Sequence, residues 1–252
     1  GYICPKNWSM SKALVVVPTY NELENIERLL RKIISLPYEF DVLIVDDNSP
    51  DGTAGVVKKQ MQASPKRFFL LEREDKLGLG SAYIAGFKWA LGRDYSYVFE
   101  MDADHSHDPN DLIRLLNACE NDGFDMAIGS RYVTGVNVVN WPMGRVLMSW
   151  LASRYVRLIT GMEVHDTTAG FICYRREILE KINLDKIKFV GYAFQIEMKY
   201  KSYLSEFKIK EVPVIFTNRT KGESKMSSGI ISEAIFGVIT MRLKSLFNRL
   251  DI

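Results

Sequence analysis

Short runs of β-branched and apolar residues recur along the first half of the chain, and a segment with helical periodicity comes after each one. Ala13–Val17, Val42–Val45, Phe68–Leu71, Tyr97–Met101 and Met126–Ile128 are five such runs, bounded by turn residues or charges. Glu22–Ser35, Thr53–Ala63, Leu79–Leu91 and Asn110–Asn121 read as the helices between them. A strand that is apolar on both faces needs cover on both. The alternation therefore predicts an α/β domain, with a mostly parallel sheet and helices on each side. Right-handed crossovers then gather the functional loops at the carboxyl ends of the strands.

Beyond Tyr132 the pattern changes. Trp141–Thr160 predicts a long helix with Pro142 inside its first turn, where a missing N–H costs little. A strand at Phe171–Tyr174, a helix at Tyr192–Tyr203 and a strand at Ile209–Phe216 come next. The last helix, Gly229–Phe247, places Ile230, Ile231, Ala234, Ile235, Val238, Ile239, Leu243, Leu246 and Phe247 on one stripe, with Ser232, Glu233, Thr240 and Lys244 opposite. The expected division is one α/β domain over residues 10–225 and a C-terminal amphipathic helical region over 226–252. A length of 252 residues suits that division.

Charge and cysteine content exclude several classes. A net charge of +2 gives no reason to expect a nucleic-acid partner. The basic residues do concentrate late, however: from Lys199 to Arg249 there are ten Lys or Arg against four Asp or Glu. Cys4, Cys119 and Cys173 are odd in number and lack metal-ligand spacing. They point to a reducing compartment, and the apolar surroundings of Cys119 and Cys173 make both core residues. The opening 1-GYICPKNWS-9 is too short and too polar for a signal peptide, and Met10 reads as a natural start. No run of eighteen apolar residues occurs, so no transmembrane helix is expected.

Three polar clusters fall where the sheet's carboxyl edge should be: 17-VPTYNELEN-25, 45-VDDNSPDGT-53 and 98-VFEMDADHSHDP-109. Asn48–Ser49 and Asp51–Gly52 read as turn chemistry, with Asp51 or Thr53 capping the next helix. Asp108 before Pro109 reads as a helix N-cap. Asp102 and Asp104 are different. In an extended segment, residues two apart lie roughly 6–7 Å apart on one face, so the two carboxylates can close on one hard cation. Oxygen ligands suit Mg²⁺ or Mn²⁺, and Mg²⁺ ordinarily takes one or two carboxylates plus substrate phosphates. Zinc held by His105 and His107 is a poorer reading, given their spacing and acidic company. The glycines of 78-GLGSAYIAG-86 come after the third strand, not the first, which disfavours a dinucleotide-binding dehydrogenase.

Taken together, the motifs resemble those of family 2 inverting glycosyltransferases of GT-A fold, and more narrowly the dolichyl- or polyprenyl-phosphate mannose synthases. The matching text is 17-VPTYNELENI-26, 45-VDDNSPDGT-53, 78-GLGSAY-83, 101-MDADHSH-107, 129-GSRY-132, 141-WPMGR-145, 166-DTTAGF-171, 191-GYAFQIEM-198 and 219-RTKGESK-225. It runs in order through nearly the whole chain. One departure is Ala169, where the family more often has serine.

The resemblance implies mannose transfer from GDP-mannose to a polyprenyl phosphate, with inversion and a Mg²⁺ or Mn²⁺ cofactor. By position, Pro18, Tyr20, Glu22, Val45 and Asp47 would line the guanosine pocket. Asp102, Ala103 and Asp104 would meet metal and diphosphate, with the Ser106 region nearby. Arg131, Arg219 and Lys225 would grip phosphates, and Arg145 and Ser149 would hold the acceptor phosphate. Asp104, Arg131 and Arg145 are the expected catalytic set. The acceptor phosphate is already ionised at neutral pH and needs no strong general base. Asp166, Gln195 and Glu197 are therefore assigned to orienting sugar, donor loop or metal shell. A lipid acceptor implies a peripheral position on the cytoplasmic face of a membrane, reached through the C-terminal helix or through an integral membrane partner; the apolar stripe of that helix could equally pack on the core or on a partner. A polyprenyl-phosphate glucosyltransferase using UDP-glucose and a catalytically silent sugar-nucleotide-binding module are the alternatives.

Overall fold

The computed structural model describes residues 12–189, 191, 193–218 and 228–247, the last of these as backbone alone up to 234. Strands β1 (Ala13–Thr19), β2 (Phe40–Asp46), β3 (Phe68–Glu72), β4 (Tyr97–Glu100) and β5 (Met126–Ser130) alternate with helices α1 (Leu23–Ile34), α2 (Thr53–Ala63), α3 (Leu79–Leu91) and α4 (Asp111–Glu120). A two-residue strand β6 (Val138–Val139), helix α5 (Met143–Thr160), strand β7 (Ile172–Arg175), the short helix α6 (Arg176–Lys181), helix α7 (Ala193–Leu204), strands β8 (Ile209–Pro213) and β9 (Phe216–Thr217), and helix α8 (Ser228–Leu246) complete the order.

The sheet runs β3-β2-β1-β4-β7-β5-β8. All pairings are parallel except those of β7, which lies antiparallel between β4 and β5. Chain order reverses at β1, with β2 on one side and β4 on the other. A cleft is expected beyond the carboxyl ends of the strands at such a reversal.

Both faces are filled, as the uninterrupted apolar strands require. Val15, Val17, Val42, Ile44 and Phe99 pack with Ile26, Leu29, Leu30 and Ile33 of α1, Val57 of α2 and Leu112, Leu115 and Leu116 of α4. Leu14, Val16, Leu43, Val45 and Val98 turn the other way onto Ala82, Tyr83 and Phe87 of α3, Ile178 of α6 and Phe194 and Met198 of α7. Cys119 and Cys173 are buried in the first of these layers, as expected from their neighbours.

Four expectations change. The strand Ile209–Phe216 is two: β8 ends at Pro213, with Val214 N making the last bond to Ser130 O of β5, and Phe216–Thr217 pairs instead with β6. Pro142 is the cap residue ahead of α5, with an extended ψ of 139°, so the helix begins at Met143, two residues later than the expected Trp141. Asp108 is not the N-cap of α4. Its carbonyl accepts from Asp111 and its carboxylate from Asn110, forming a turn before the helix starts. The apolar stripe of α8 also divides. Val238 and Met241 pack on Val156 of α5 and on Ile196 and Tyr200 of α7, whereas Ile235, Ile239, Leu243, Leu246 and Phe247 are exposed. Ile230, Ile231 and Ala234 of that stripe fall where only the backbone is described. No helix among the described residues is long and apolar enough to cross a membrane.

Glycine sets the closest helix–sheet approach. A Cβ on Gly86 of α3 would meet Val16 Cγ1 of β1 at 2.4 Å, whereas one on Gly55 of α2 would meet nothing within 4 Å. Gly86→Val therefore costs about 2 kcal/mol or more by overpacking. Gly55→Ala gains roughly 0.5 kcal/mol from reduced chain freedom. Thermal melting should show the two shifts in opposite directions.

Candidate active site

The loops after β1 and β2 are stitched into one surface. Asp46, at the end of β2, accepts from Thr19 Oγ1 (2.7 Å) and from both the backbone and hydroxyl of Ser49. Ser49 Oγ in turn accepts from Asn21 N. Asp51 accepts from Leu23 N and from Thr53 N, which bears out its reading as a turn residue, but the N-cap of α2 is Gly52, in the left-handed region and without a side-chain capping bond, and neither Asp51 nor Thr53 takes that place. Thr53 Oγ1 accepts from Glu22 N, and Glu22 accepts from Asn25 Nδ2 at 2.9 Å. Pro18, Tyr20, Glu22 and Asp47 thus lie together at this edge, while the side chain of Val45 is in the core beneath it. Lys76 lies over the Tyr20 ring, 4.3 Å from its centroid.

Asp47 is buried, and Arg73 holds it with two nitrogens at 2.6 and 2.7 Å. Arg73 also donates to Ser81 Oγ, joining the β2 loop to the start of α3. Burial, partly offset by Arg73, raises the Asp47 carboxyl above its ordinary value.

Asp102 and Asp104 come after β4, both partly exposed, with Ala103 buried between them. The segment has irregular backbone: His105 has φ +60°, Asp104 accepts from Ser106 N, and His107 Nδ1 accepts from Asp102 N at 3.3 Å. Burial lowers the pKa of His107 to about 4, so at neutral pH the ring is uncharged, and with Nδ1 accepting, its proton is on Nε2. The ring stacks on Phe171 (centroids 4.8 Å apart), which commits it to the protein interior and further weakens the zinc reading. The buried hydroxyl of Tyr83 donates to Asp102 Oδ1, and Tyr83 stacks on Phe194 of α7 at 6.0 Å. Asn21, Asn48 and His105 are left-handed (φ +57°, +56° and +60°) in the loops after β1, β2 and β4 respectively.

Arg131, just past β5, meets Asp166, which lies 35 residues later and is fully buried. The Arg131 backbone N–H and Nε reach Oδ2 at 2.9 and 2.7 Å, and a terminal nitrogen reaches Oδ1 at 2.6 Å and Thr168 Oγ1 at 2.8 Å. Burial by itself would raise the Asp166 carboxyl. The charge and hydrogen bonds of Arg131, helped by Lys199, outweigh it and hold the group below the ordinary 3.8. The 166–170 turn is fastened from beneath by Lys199 of α7, whose ammonium donates to Ala169 O at 2.6 Å. Burial pulls the Lys199 pKa down to about 8. Glu100, under the carboxylate loop, accepts from Tyr174 (2.7 Å) and from Gln195, and burial pushes it up to about 7. Glu197 accepts from the backbone of Lys188 and Phe189. Gln195 and Glu197 thus brace the site from behind.

Across from Arg131, Arg145 in the first turn of α5 lies 4.0 Å from the centre of the Trp141 ring and donates to Asn218 Oδ1 at 3.0 Å. Ser149, one turn on, lies beside the phenol of Tyr132. Trp141, Tyr132 and Phe216 all come within 5.2–5.5 Å of the Arg131 guanidinium. Arg219 and Lys225 lie outside the described residues. Among the described residues no three His, Cys, Asp or Glu side chains gather around one point.

Arg73, Tyr83, Lys199 and Phe216 join the site without having been singled out from the sequence. Only Lys199, a lysine within a helical apolar stretch, left any local signal. The buried Arg131–Asp166 pair yields a direct test. Removing one charge of such a pair costs about 3–5 kcal/mol, because the other stays buried and unpaired. Asp166→Asn should lower stability by that order in denaturant titration. The pair's contribution is complete above the unfolded carboxyl value and is lost only as pH falls through the lower folded one, so the variant should lose that acid-side dependence.

Residues 14–183 match the family model of glycosyl transferase family 2. The chain is 44% identical over 238 residues to a polyprenol monophosphomannose synthase of Mycolicibacterium smegmatis, covering 94% of this chain and 89% of that one. It is 44% identical over 227 residues to an undecaprenyl-phosphate mannosyltransferase of Micrococcus luteus, with 90% and 92% covered. A dolichol-phosphate mannosyltransferase of Pyrococcus furiosus is 38% identical over 226 residues, 88% of this chain and 61% of that longer one. Among solved structures, glucosyl-3-phosphoglycerate synthase from Mycobacterium tuberculosis, in complex with Mn²⁺, UDP-glucose and glycerol 3-phosphate, shares the fold. Its TM-score is 0.64 at 16% identity, with 94% of this chain and 80% of that one covered.

Proposed function

The chain belongs to glycosyl transferase family 2, and on that premise we propose that it transfers mannose from GDP-mannose to a polyprenyl phosphate with inversion, giving polyprenyl-phosphate β-mannose. The observation that carries this reading is the near full-length 44% identity to two relatives named for mannose transfer to polyprenyl carriers. The site chemistry supports it. Asp166, the carboxylate nearest the arginines, is fully buried and bound to Arg131, so it is poorly suited to taking a proton from a hydroxyl acceptor. A phosphate acceptor is ionised beforehand and asks only for positive charge and alignment.

In this reading Pro18, Tyr20, Glu22, Asp47 and the backbone at Val45 hold the guanosine. Asp102 and Asp104 present an all-oxygen donor set on one partly exposed segment, which fits Mg²⁺ or Mn²⁺ with substrate phosphates completing the shell. The cation, when bound, supplies charge stabilisation to the departing diphosphate. Arg131, with Arg219 and Lys225, adds fixed positive charge there. Arg145 and Ser149 orient the acceptor oxygen toward the anomeric carbon, so that attack from the side opposite the diphosphate inverts that centre. Residues 10–225 form the catalytic unit, and 226–252 an amphipathic appendage.

A lipid acceptor requires a surface at the bilayer. The outer side of α5 exposes Met143 (79%), Leu147, Trp150, Leu151 and Leu158 (84%) around Arg154, which lies over the Trp150 ring, and α8 exposes Phe236, Leu243 and Phe247. Such an accumulation of exposed apolar residues marks a docking surface. We assign it to the cytoplasmic face of a membrane, met directly or beside an integral partner.

Two experiments bear on this. Purified protein with polyprenyl phosphate should move labelled sugar into organic-extractable lipid from GDP-mannose and not from UDP-glucose, and a chelator should abolish transfer. Asp104→Asn should reduce the rate by about 100-fold or more, the scale of losing a main charge-stabilising group. Label from UDP-glucose alone would keep the fold and overturn the donor; no transfer by wild type with nucleotide binding intact would favour a silent binding module. Separately, Leu147→Ser with Leu151→Ser should lower co-sedimentation with phospholipid vesicles while leaving GDP affinity unchanged.

A further inference from the structure

One short segment joins the two halves of the site. His107, which fixes the backbone of Asp102, meets the ring of Phe216 edge to face, with centroids 5.3 Å apart at 79°. Phe216 meets Trp141 in the same way, at 5.2 Å and 75°, and Trp141 carries the Arg145 guanidinium. The backbone repeats the connection. Phe216 N donates to Asn137 O, Thr217 N to Ser106 O in the carboxylate loop, and Asn218 N to Val139 O. The Asn218 side chain then accepts from Arg145.

Trp141 makes this bridge specific. Its ring is set by three contacts: Phe216 edge to face at 5.2 Å, the Arg145 guanidinium 4.0 Å from its centre and that of Arg131 at 5.4 Å. Edge-to-face contact depends on ring geometry, not on bulk alone, and is worth something beyond buried area.

We propose that Phe216 is a positioning residue for the acceptor: it sets Trp141, and through it Arg145, against the carboxylate loop that His107 holds. The inference rests on the proposed function, which puts the acceptor phosphate at Arg145. Phe216 acts through Trp141 and does not touch the reacting atoms. Arg131, 5.5 Å from the Phe216 ring, is held by Asp166, and Asp102 is held also by Tyr83, so removal of Phe216 displaces the acceptor while the nucleotide, seated on the loops after β1 and β2, stays in place.

The test compares wild type, Phe216→Leu and Phe216→Tyr, with KM for a short-chain prenyl phosphate and for GDP-mannose, kcat, and affinity for GDP with Mn²⁺. Phe216→Leu should raise the acceptor KM by about three- to tenfold, the scale of one or two lost aromatic contacts. The donor KM and GDP affinity should stay within about twofold, and Phe216→Tyr, which keeps the ring, should restore the acceptor KM. A fall in kcat alone, with both KM values unchanged, is what a smaller folded fraction produces and overturns the proposal. So does an equal loss for donor and acceptor, or failure of the tyrosine to rescue. If wild type transfers sugar normally while Phe216→Leu is indistinguishable from it, the proposed function stands and this inference falls. If wild type neither binds nor glycosylates prenyl phosphate, both fall.

Discussion

A guanidinium and a carboxylate buried together must satisfy each other, because no water is there to do it, and the Arg131–Asp166 pair imposes that condition on much of the molecule. Arg131 leaves β5 and Asp166 precedes β7, so the pair fixes the ends of two neighbouring strands that run in opposite directions. Asp166 is then held in turn, with Glu211 at the β8 side accepting from its backbone N–H and Lys199 capping the turn after it. Charge burial on this scale demands a rigid surround. The same rigidity is what a site needs when its chemistry rests on placing positive charge and not on moving protons.

The carboxyl edge around that pair is built by short polar side chains acting on backbone. Asp46, Ser49, Asp51 and Thr53 use their hydrogen bonds to bind the first two loops to one another. Asp47 is held by Arg73, and Asp102 by Tyr83 and His107. Aspartates thus divide into those that shape loops and those that stay partly exposed beside them. A ligand meets a surface already organised, which reduces the ordering cost of binding.

Along α5 and α8 the molecule changes character. α5 and α8 pack on α7 through Val156, Val238 and Met241, but carry large apolar side chains on their outer faces. A helix that needs one stripe to pack and shows apolar residues on another has two surfaces to satisfy. In α5 the inward side carries Arg145 and Val156, and the outward side carries Met143, Leu147, Leu151 and Leu158.

The period of the apolar residues and the turn chemistry between them are local properties, and those the sequence by itself determined. It settled the five alternating strands and four helices of the first half, the cover on both faces, the role of Asp51 as a turn residue and the core placement of Cys119 and Cys173. The two carboxylates at Asp102 and Asp104 were legible because spacing alone brings them to one segment. Partners distant in sequence were not legible. The insertion of β7 against its neighbours, Asp166 as the partner of Arg131, Lys199 beneath the 166–170 turn and the contact of Phe216 with both His107 and Trp141 all depend on strand order. The division of the α8 stripe has the same origin. A helical pattern records which residues are apolar, but only the packing of α8 against α5 and α7 decided that Val238 and Met241 would be covered and their neighbours left outside.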